Sequence, residues 1–419
     1  MTVVALDDTD SRDGMCTTYL AALLADELAR EYAVERQLLV RLNPAVEAKT
    51  RGNAACAVHT NAPADEARRV ASDLVERHAA TGERTSPGLV VAPGDPAAVP
   101  RGVETFARVA VRDHLGLGDA AATADAAGYA HEGWAGGRGR IGALAAVGAW
   151  AAFGEWTHER LVYRPRERWG TTRTVDEADV FAAAADAYPA AWDTVDREAG
   201  EAVCVPATPG PVLFGVRGDE AGVVERVADR IAHEPAERAA TFHTNQGTDA
   251  HLREAALAAV EAGRAYRVDA TVAAAPETRA GGHVHLRLRD GDATLPAVAF
   301  EPTKRFRDRV RALRPGDRVT ACGEVGGGSL KLEKFAVRAL TRTERVTPTC
   351  HGCGRSMSSA GANAGYRCRD CGTEEGRKVE QEVERAVEAG WYEVPPRARR
   401  HVAKPLVRGG FDGPTHPER

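Results

Sequence analysis

The sequence predicts a multidomain protein of mixed α/β and α+β class that closes in a small zinc ribbon. Three observations carry that reading. The first ninety residues alternate apolar runs and amphipathic segments in the order β-α-β-β-α-β. Residues 265–340 hold five strand-length runs separated by Gly turns. Four of the eight cysteines fall in two Cys-x-x-Cys pairs near the C-terminus. At 419 residues the chain exceeds one compact core; domains of ~100–150 residues imply two to four units.

Taken in order, VVAL (3–6) is a short strand ending in acidic residues, and residues 17–31 carry apolar positions at helical spacing. LLVRL (38–42) and AACAVHT (54–60) are strands joined by the loop NPAVEAKTRGN, residues 63–81 form an Ala-rich helix, and GLVVA (88–92) is a fourth strand. This order fits a ferredoxin-like unit or part of a larger α/β unit. Residues 101–115 are expected as a helix, 116–140 as a Gly/Ala-rich loop, 141–153 as an apolar helix, and ERLVYRPRERWG as a strand and turn. A new unit starts near residue 200, with strands at VLFGVRG and TFHTNQG around a helix over 219–233. The five runs after residue 265 make a small barrel, for which the OB-fold is the expected choice. The cysteine pairs, a helix over 377–389 and a basic, Pro-rich tail follow.

Composition narrows the function classes. A net charge of −5 gives no overall nucleic-acid signal, so any basic contact surface has to be local. No run approaches the ~18–20 apolar residues of a membrane helix. The acidic N-terminus lacks the layout of a signal peptide, and a cytoplasmic protein is expected. There, Cys16, Cys56, Cys204 and Cys322 are expected as small buried hydrophobes.

The zinc signal is the most specific. Cys350-x-x-Cys353, fourteen residues, then Cys368-x-x-Cys371 is close to the spacing of four-cysteine zinc sites, and Gly follows each second cysteine. Four thiolates leave no open position, so the Zn²⁺ is expected to be structural; His351 is a competing ligand the set does not need. Asp7, Asp8 and Asp10 end the first strand, where open α/β enzymes place ligands; they form either a solvated turn or a Mg²⁺ site. Thr17 and Thr18 open the next helix, as N-caps or as phosphate-facing hydroxyls. Gly137, Arg138, Gly139, Arg140 and Gly142 offer a Gly-rich turn, two guanidiniums and a helix start, all suited to phosphate and all common in flexible loops. Lys49-Thr50-Arg51-Gly52-Asn53 is a second basic turn of the same kind. Asn245, Gln246 and Asp249 belong to a polar run that reads as a substrate pocket or a capping loop. Arg279, His283, His285, Arg287, Arg289, Lys304, Arg305, Arg307, Lys331 and Lys334, with PPRARRHVAKPLVR, are candidates for an RNA backbone; a plain solvated tail is the alternative.

These stretches together resemble one family end to end. VVALDDTDSRDGMCTTYLA, LNPAVEAKTRGN, GRGRIGALAAVGA, YRPRERWG, TPGPVLFGVRG, TFHTNQGTDAHL, the barrel, the four-cysteine ribbon and PPRARRHVAKPL are similar to the archaeal tRNA(Ile) agmatidine synthetases. The resemblance implies an ATP-dependent ligase that attaches agmatine to C2 of the wobble cytidine of an isoleucine tRNA with a CAU anticodon, so that it reads AUA. ATP is then cleaved to AMP and pyrophosphate. The family's fold implies a kinase-like catalytic region over 1–195, a ferredoxin-like domain over 196–262, an OB-fold over 263–343, the ribbon over 344–376, and a helix and basic tail over 377–419. A threonine of the CTT motif is the implied phosphoacceptor, here Thr17 or Thr18. Asp7, Asp8 and Asp10 are then expected to hold Mg²⁺. The phosphates of ATP fall to Arg51, Gly52, Asn53, Gly137, Arg138, Gly139, Arg140 and Gly142, and dicationic agmatine to Asn245, Gln246 and Asp249. The chemistry is coherent: cytosine O2 is a poor leaving group until it carries a phosphoryl group, which amine attack at C2 then expels. Two other classes compete, an inert RNA-binding protein and an ATP-dependent enzyme on a small amine. ATP use that requires both tRNA and agmatine excludes them.

Overall fold

The computed structural model describes residues 1–12, 14–47, 49, 52–80, 82, 84–362 and 364–419. Its N-terminal half is built on one nine-stranded sheet among the described residues. The first strands and helices are β1 (Thr2–Asp7), α1 (Thr17–Leu28), β2 (Val34–Arg41), β3 (Ala54–Thr60), α2 (Ala64–His78) and β4 (Gly88–Pro93), in the β-α-β-β-α-β order expected. They pair antiparallel in the order β4-β1-β3-β2. Alternation explains why both sheet faces are covered. Val4 and Leu6 of β1 pack under α1 and α2, while Val3 and Ala5 face the helices on the other side. Leu20, Leu24 and Leu28 of α1 are fully buried; truncating such a side chain to Ala costs about 2–5 kcal/mol.

The opposite face is covered by α3 (Arg101–Arg112), α4 (Leu117–Ala126) and α5 (Arg140–Ala152), with β5 (Ala130–Gly133) at the sheet edge. The expected loop over 116–140 is therefore wrong in its first half. Alanine is the strongest helix former, and Asp119 caps α4 by accepting from the Gly116 N–H at 2.9 Å.

Beyond β2 the sheet continues through β6 (Thr157–Tyr163), α6 (Glu177–Ala187), β7 (Ala191–Trp192), β8 (Val212–Gly218), α7 (Ala221–Asp229) and β9 (Arg238–Thr244), in the order β2-β9-β6-β8-β7. β9 joins β2 in parallel at Leu38↔His243 and Leu39↔Thr244. The first ninety residues are thus part of a larger α/β unit, the second alternative above. α6 and α7 cover one side of this half around Leu213, Phe214 and Val216.

The chain then runs through β10 (Leu252–Glu254), β11 (Arg264–Thr278), β12 (Val284–Asp290), β13 (Ala293–Ala299), α8 (Phe306–Arg311), β14 (Arg318–Gly326) and β15 (Ser329–Ala339). Five of these strands close on themselves in the cycle β11-β12-β13-β15-β14-β11, with β13 and β15 parallel. The ribbon follows on a two-stranded stalk. β16 (Thr343–Val346) leads out to β17 (Ser358–Ser359), β18 (Tyr366–Arg367) and β19 (Glu374–Glu375), and β20 (Val379–Glu382) leads back beside β16. The expected helix over 377–389 does not form. Val379, Val383 and Val387 have helical spacing, but Val379 pairs with Val346 in the stalk while Val387 is buried in the barrel core. β21 (Gly390–Glu393) then adds to β15, and β22 (Thr415–His416) adds to β21. No helix among the described residues is long and apolar enough to cross a membrane.

Candidate functional site

A cavity of about 1010 Å³ opens where β1, α1, α5, β6 and β8 meet the C-terminal tail. Asp7, Asp8 and Asp10 line it from the end of β1, Thr17 and Thr18 from the first turn of α1, and Arg138, Gly139 and Gly142 from the start of α5. Gly52 and Asn53 line it from the turn before β3. Arg51 lies outside the described residues.

The acidic cluster is under strain. Asp8 has a left-handed backbone (φ 55°), and its N–H donates to Asp7 Oδ1 at 2.6 Å. Burial pushes the Asp7 carboxyl well above the usual carboxylate range, and the neighbouring Asp8 charge adds to it. Asp8 is raised to about 6, mainly by the same burial, against the pull of Arg138. The Arg138 guanidinium donates to Asp8 Oδ2 at 2.7 Å. Crowded carboxylates with one close guanidinium are a donor set that suits a hard divalent cation, so these residues fit Mg²⁺.

Close approach of α5 to β1 requires glycine. A Cβ on Gly142 would overlap the Asp7 carboxylate and come within 2.9 Å of Leu42 Cδ1. One on Gly139 would overlap the Asp7 carbonyl oxygen and lie 2.6 Å from the Gly88 nitrogen. The first turn of α5, the positive end of its helix dipole, is thereby held against the acidic end of β1. Gly137 and Arg140 do not line the cavity; the Arg140 Nε donates to the Gly137 carbonyl at 3.1 Å instead.

At the start of α1, Thr9 Oγ1 donates to Thr17 Oγ1 at 3.2 Å, and Thr18 Oγ1 lies 3.1 Å from Cys16 Sγ. Neither threonine is the N-cap, which is Cys16 and makes no side-chain cap. Both hydroxyls are thus at the cavity wall without a capping duty.

Asn245, Gln246 and Asp249 do not line the cavity. The Asn245 carboxamide accepts from the Arg41 N–H at 2.8 Å and donates to the Arg41 carbonyl at 2.9 Å, prolonging the β2–β9 ladder with a side chain. Gln246 donates to Glu159 Oε2 at 2.5 Å, and Asp249 accepts from Lys334 Nζ at 2.8 and 2.7 Å. The polar run welds the sheet to the barrel and tail. A carboxylate that does reach the cavity from β6 is Glu159, which the sequence reading missed. It is buried, and Arg217 Nε donates to it at 3.0 Å, with Arg41 at 3.9 Å. Alternation along ERLVYRP marks Glu159 as inward-facing, a signal available in the sequence and unread.

The basic tail is not a solvated arm. Arg399 pairs with Asp193 and, at 2.8 Å, with Glu393; Arg400 pairs with Glu324; Lys404 and Arg408 reach Glu155 at 3.2 and 3.0 Å. Pro396, Arg397, Arg399 and His401 complete the cavity wall. Lys334, Lys331 and Arg305 of the proposed RNA face are also engaged in ion pairs, whereas Arg287 and Arg289 are exposed on β12.

The four ribbon cysteines converge, their sulfurs all lying within 4.8 Å of one another, with Cys350–Cys371 at 3.2 Å and Cys353–Cys368 at 3.4 Å. A disulfide is about 2.05 Å long, so these are not bonded pairs. Tetrahedral thiolates around zinc lie roughly 3.8 Å apart for Zn–S near 2.3 Å, which the cluster fits. Gly354 and Gly372 take positive φ of 72° and 73°, and their N–H groups close each knuckle on the Cys350 and Cys368 carbonyls. His351 is exposed and outside this set.

The chain matches the TiaS TCKD domain over residues 3–68, the TiaS FLD domain over 137–251 and the TiaS C-terminal zinc ribbon domain over 347–387. It is 50% identical over 464 aligned positions to the isoleucine-tRNA 2-agmatinylcytidine synthetase TiaS of Haloquadratum walsbyi, covering 100% of both chains. The solved complex of TiaS with its isoleucine tRNA and ATP is 38% identical with TM-score 0.91, covering 100% of this chain and 99% of that one. A complex of TiaS with that tRNA, AMPCPP and agmatine is 35% identical with TM-score 0.88 and the same coverage.

Proposed function

The chain belongs to the TiaS family of isoleucine-tRNA 2-agmatinylcytidine synthetases, and from that premise we propose that it joins agmatine to C2 of the wobble cytidine of an isoleucine tRNA, using ATP. The observation that carries the reading onto this chain is the convergence in one cavity of the acidic cluster, two helix-start hydroxyls and a Gly-Arg helix start. Such an array positions and neutralises phosphates, which is most of what phosphoryl transfer asks of a protein.

Asp7, Asp8 and Asp10 would hold Mg²⁺, which when bound supplies charge neutralisation at the nucleotide phosphates. Arg138 is the guanidinium ready to leave Asp8 for a phosphate, and Gly139 and Gly142 let the positive end of the α5 dipole approach it. Thr18 is the preferred phosphoacceptor, since its hydroxyl lies 3.1 Å from the weakly bonding Cys16 thiol while that of Thr17 is engaged by Thr9. Glu159 takes over from Asn245, Gln246 and Asp249 as the carboxylate for dicationic agmatine. The oxygen lost from C2 leaves on the transferred phosphoryl group, and the water formally removed in joining amine to carbonyl is taken up by the ATP phosphoanhydride bond that is broken.

The strand cycle β11-β12-β13-β15-β14, with α8 between β13 and β14, supports an OB-fold over 263–343. Arg287 and Arg289 on its exposed side are candidates for the RNA backbone. The ribbon over 344–376 would add a second grip, with Zn²⁺ holding its shape. We retain a kinase-like reading for the region around β1 and assign β6 with β8 and β9 to the ferredoxin-like unit, which moves that boundary upstream of 195. The enzyme would work where its tRNA is, in the cytoplasm.

The direct test is mass spectrometry of the wobble nucleoside after incubation with ATP, agmatine and a CAU-anticodon isoleucine tRNA. Agmatidine is expected only with all three; unmodified cytidine in the complete mixture defeats the reading. Replacing both Thr17 and Thr18 by Ala is expected to erase labelling of the protein from γ-labelled ATP, and persisting label moves the acceptor elsewhere. Cys368→Ser is expected to weaken tRNA binding at least tenfold with the melting of the nine-stranded half unchanged, because the ribbon sits on its own stalk. Undiminished affinity would confine the ribbon to packing.

A further inference from the structure

We propose that His401, carried into the cavity by the C-terminal tail, is the general base that takes the proton from the attacking amine of agmatine. The inference rests on the reading that agmatine reacts in this cavity.

The placement of His401 is unusual for a tail residue. Its neighbours Arg399 and Arg400 are anchored in ion pairs with Glu393 and Glu324, and its carbonyl accepts from the Gly247 N–H at 2.8 Å. The Asp249 N–H donates to the Val402 carbonyl at 3.0 Å. The backbone around His401 is thus fixed on both sides. Its side chain is nonetheless exposed, in a segment whose next two residues are buried, and it lines the cavity. Among the described residues its imidazole makes no hydrogen bond, while the other polar side chains of this segment are engaged. A Cβ on Gly52 would lie 3.6 Å from His401 Cδ2 and 2.9 Å from a guanidinium nitrogen of Arg41, so glycine keeps this wall open.

Electrostatics suit an acceptor. Poor solvation inside the cavity, followed by the Arg41 guanidinium of β2 and the Arg217 guanidinium of β8, holds the imidazole well below its usual range and therefore neutral. Both arginines lean on Glu159, the buried carboxylate of β6. A neutral imidazole has a free lone pair near pH 7, which the arginines of the cavity lack.

The step balances as follows. The free-base amine donates its electron pair to C2 of the activated cytidine, forming a C–N bond. One N–H proton passes to the imidazole, and the C2–O pair leaves with phosphate. The proton then moves from His401 to the departing phosphate, a transfer favoured by the two guanidiniums that disfavour an imidazolium.

The test compares wild type with His401→Ala, His401→Asn and His401→Phe as full-length chains, with ATP, agmatine and the tRNA. Single-turnover agmatidine formation is expected to fall at least a hundredfold in all three, within the range of ~10²–10⁴ for a general base. First-turnover ATP cleavage and tRNA affinity should persist, and added imidazole should restore at least tenfold in His401→Ala. A wild-type rate in His401→Asn overturns the proposal, and so does one in His401→Phe, which would make the residue a stacking platform. Joint loss of ATP cleavage and tRNA affinity without imidazole rescue also overturns it, in favour of a packing role. A wild type that forms no agmatidine fails at the functional reading before His401 is reached.

Discussion

Asp8→Asn is expected to lower tRNA-dependent ATP turnover by about three orders of magnitude, the scale on which a preorganised charge acts in a transition state. The substitution is nearly isosteric and leaves an oxygen to accept the 2.7 Å bond from Arg138. The loop from β1 should therefore survive, left-handed Asp8 included, since Asn tolerates that conformation better than most residues. What disappears is the titratable charge of one of the three carboxyls clustered at the end of β1. Pyrophosphate release and gel-shift affinity for the tRNA are the two readouts. Affinity should stay within about twofold, because Asp8 directly follows a strand of the nine-stranded sheet while the exposed arginines sit on the barrel. Turnover retained above a tenth of wild type would remove Asp8 from the metal role.

Gly142→Ala should be nearly as severe by a different route. The added methyl has no space: it would overlap the Asp7 carboxylate and press on Leu42 Cδ1 at 2.9 Å. Either α5 retreats from β1 or Asp7 swings away, and both disperse the cluster. Overpacking of this kind costs about 1–3 kcal/mol, and a misplaced reacting group about a hundredfold in rate. Gly102→Ala in α3 is the control, because a Cβ there meets nothing within 4 Å and alanine favours the helix. The expected outcome is a lower melting temperature and a crippled single turnover for Gly142→Ala, with neither for Gly102→Ala. Wild-type behaviour of Gly142→Ala would mean that α5 does not need its close seat on β1.

Sequence reasoning locates one side of the cavity and misjudges the other. Asp7, Asp8, Asp10, Thr17, Thr18, Arg138, Gly139 and Gly142 are legible because each group sits within a few residues of a strand end or helix start whose periodicity is strong. Asn245, Gln246 and Asp249 look like a pocket because polar runs after a strand often are one. Their partners, Arg41, Glu159 and Lys334, are about 85 to 205 positions away. The tail looks like a solvated or RNA-facing arm, since its positive charges carry no local sign that Asp193, Glu393 and Glu324 await them.

The zinc ribbon is the part the sequence determined by itself. Two Cys-x-x-Cys knuckles closed by glycine set their own sulfur positions through local turns, so spacing alone was enough to bring four sulfurs within 4.8 Å. The same locality made β1 through β4 and the five barrel strands readable, because a period of two with both faces covered is written into each short run. Only the tertiary structure decided that residues 379–382 are a strand rather than a helix, that Asn245 extends a sheet, and that His401 shares a cavity with the acidic end of β1. Those outcomes depend on pairings between distant segments, where burial and charge neutralisation outweigh the weak preferences of any one stretch.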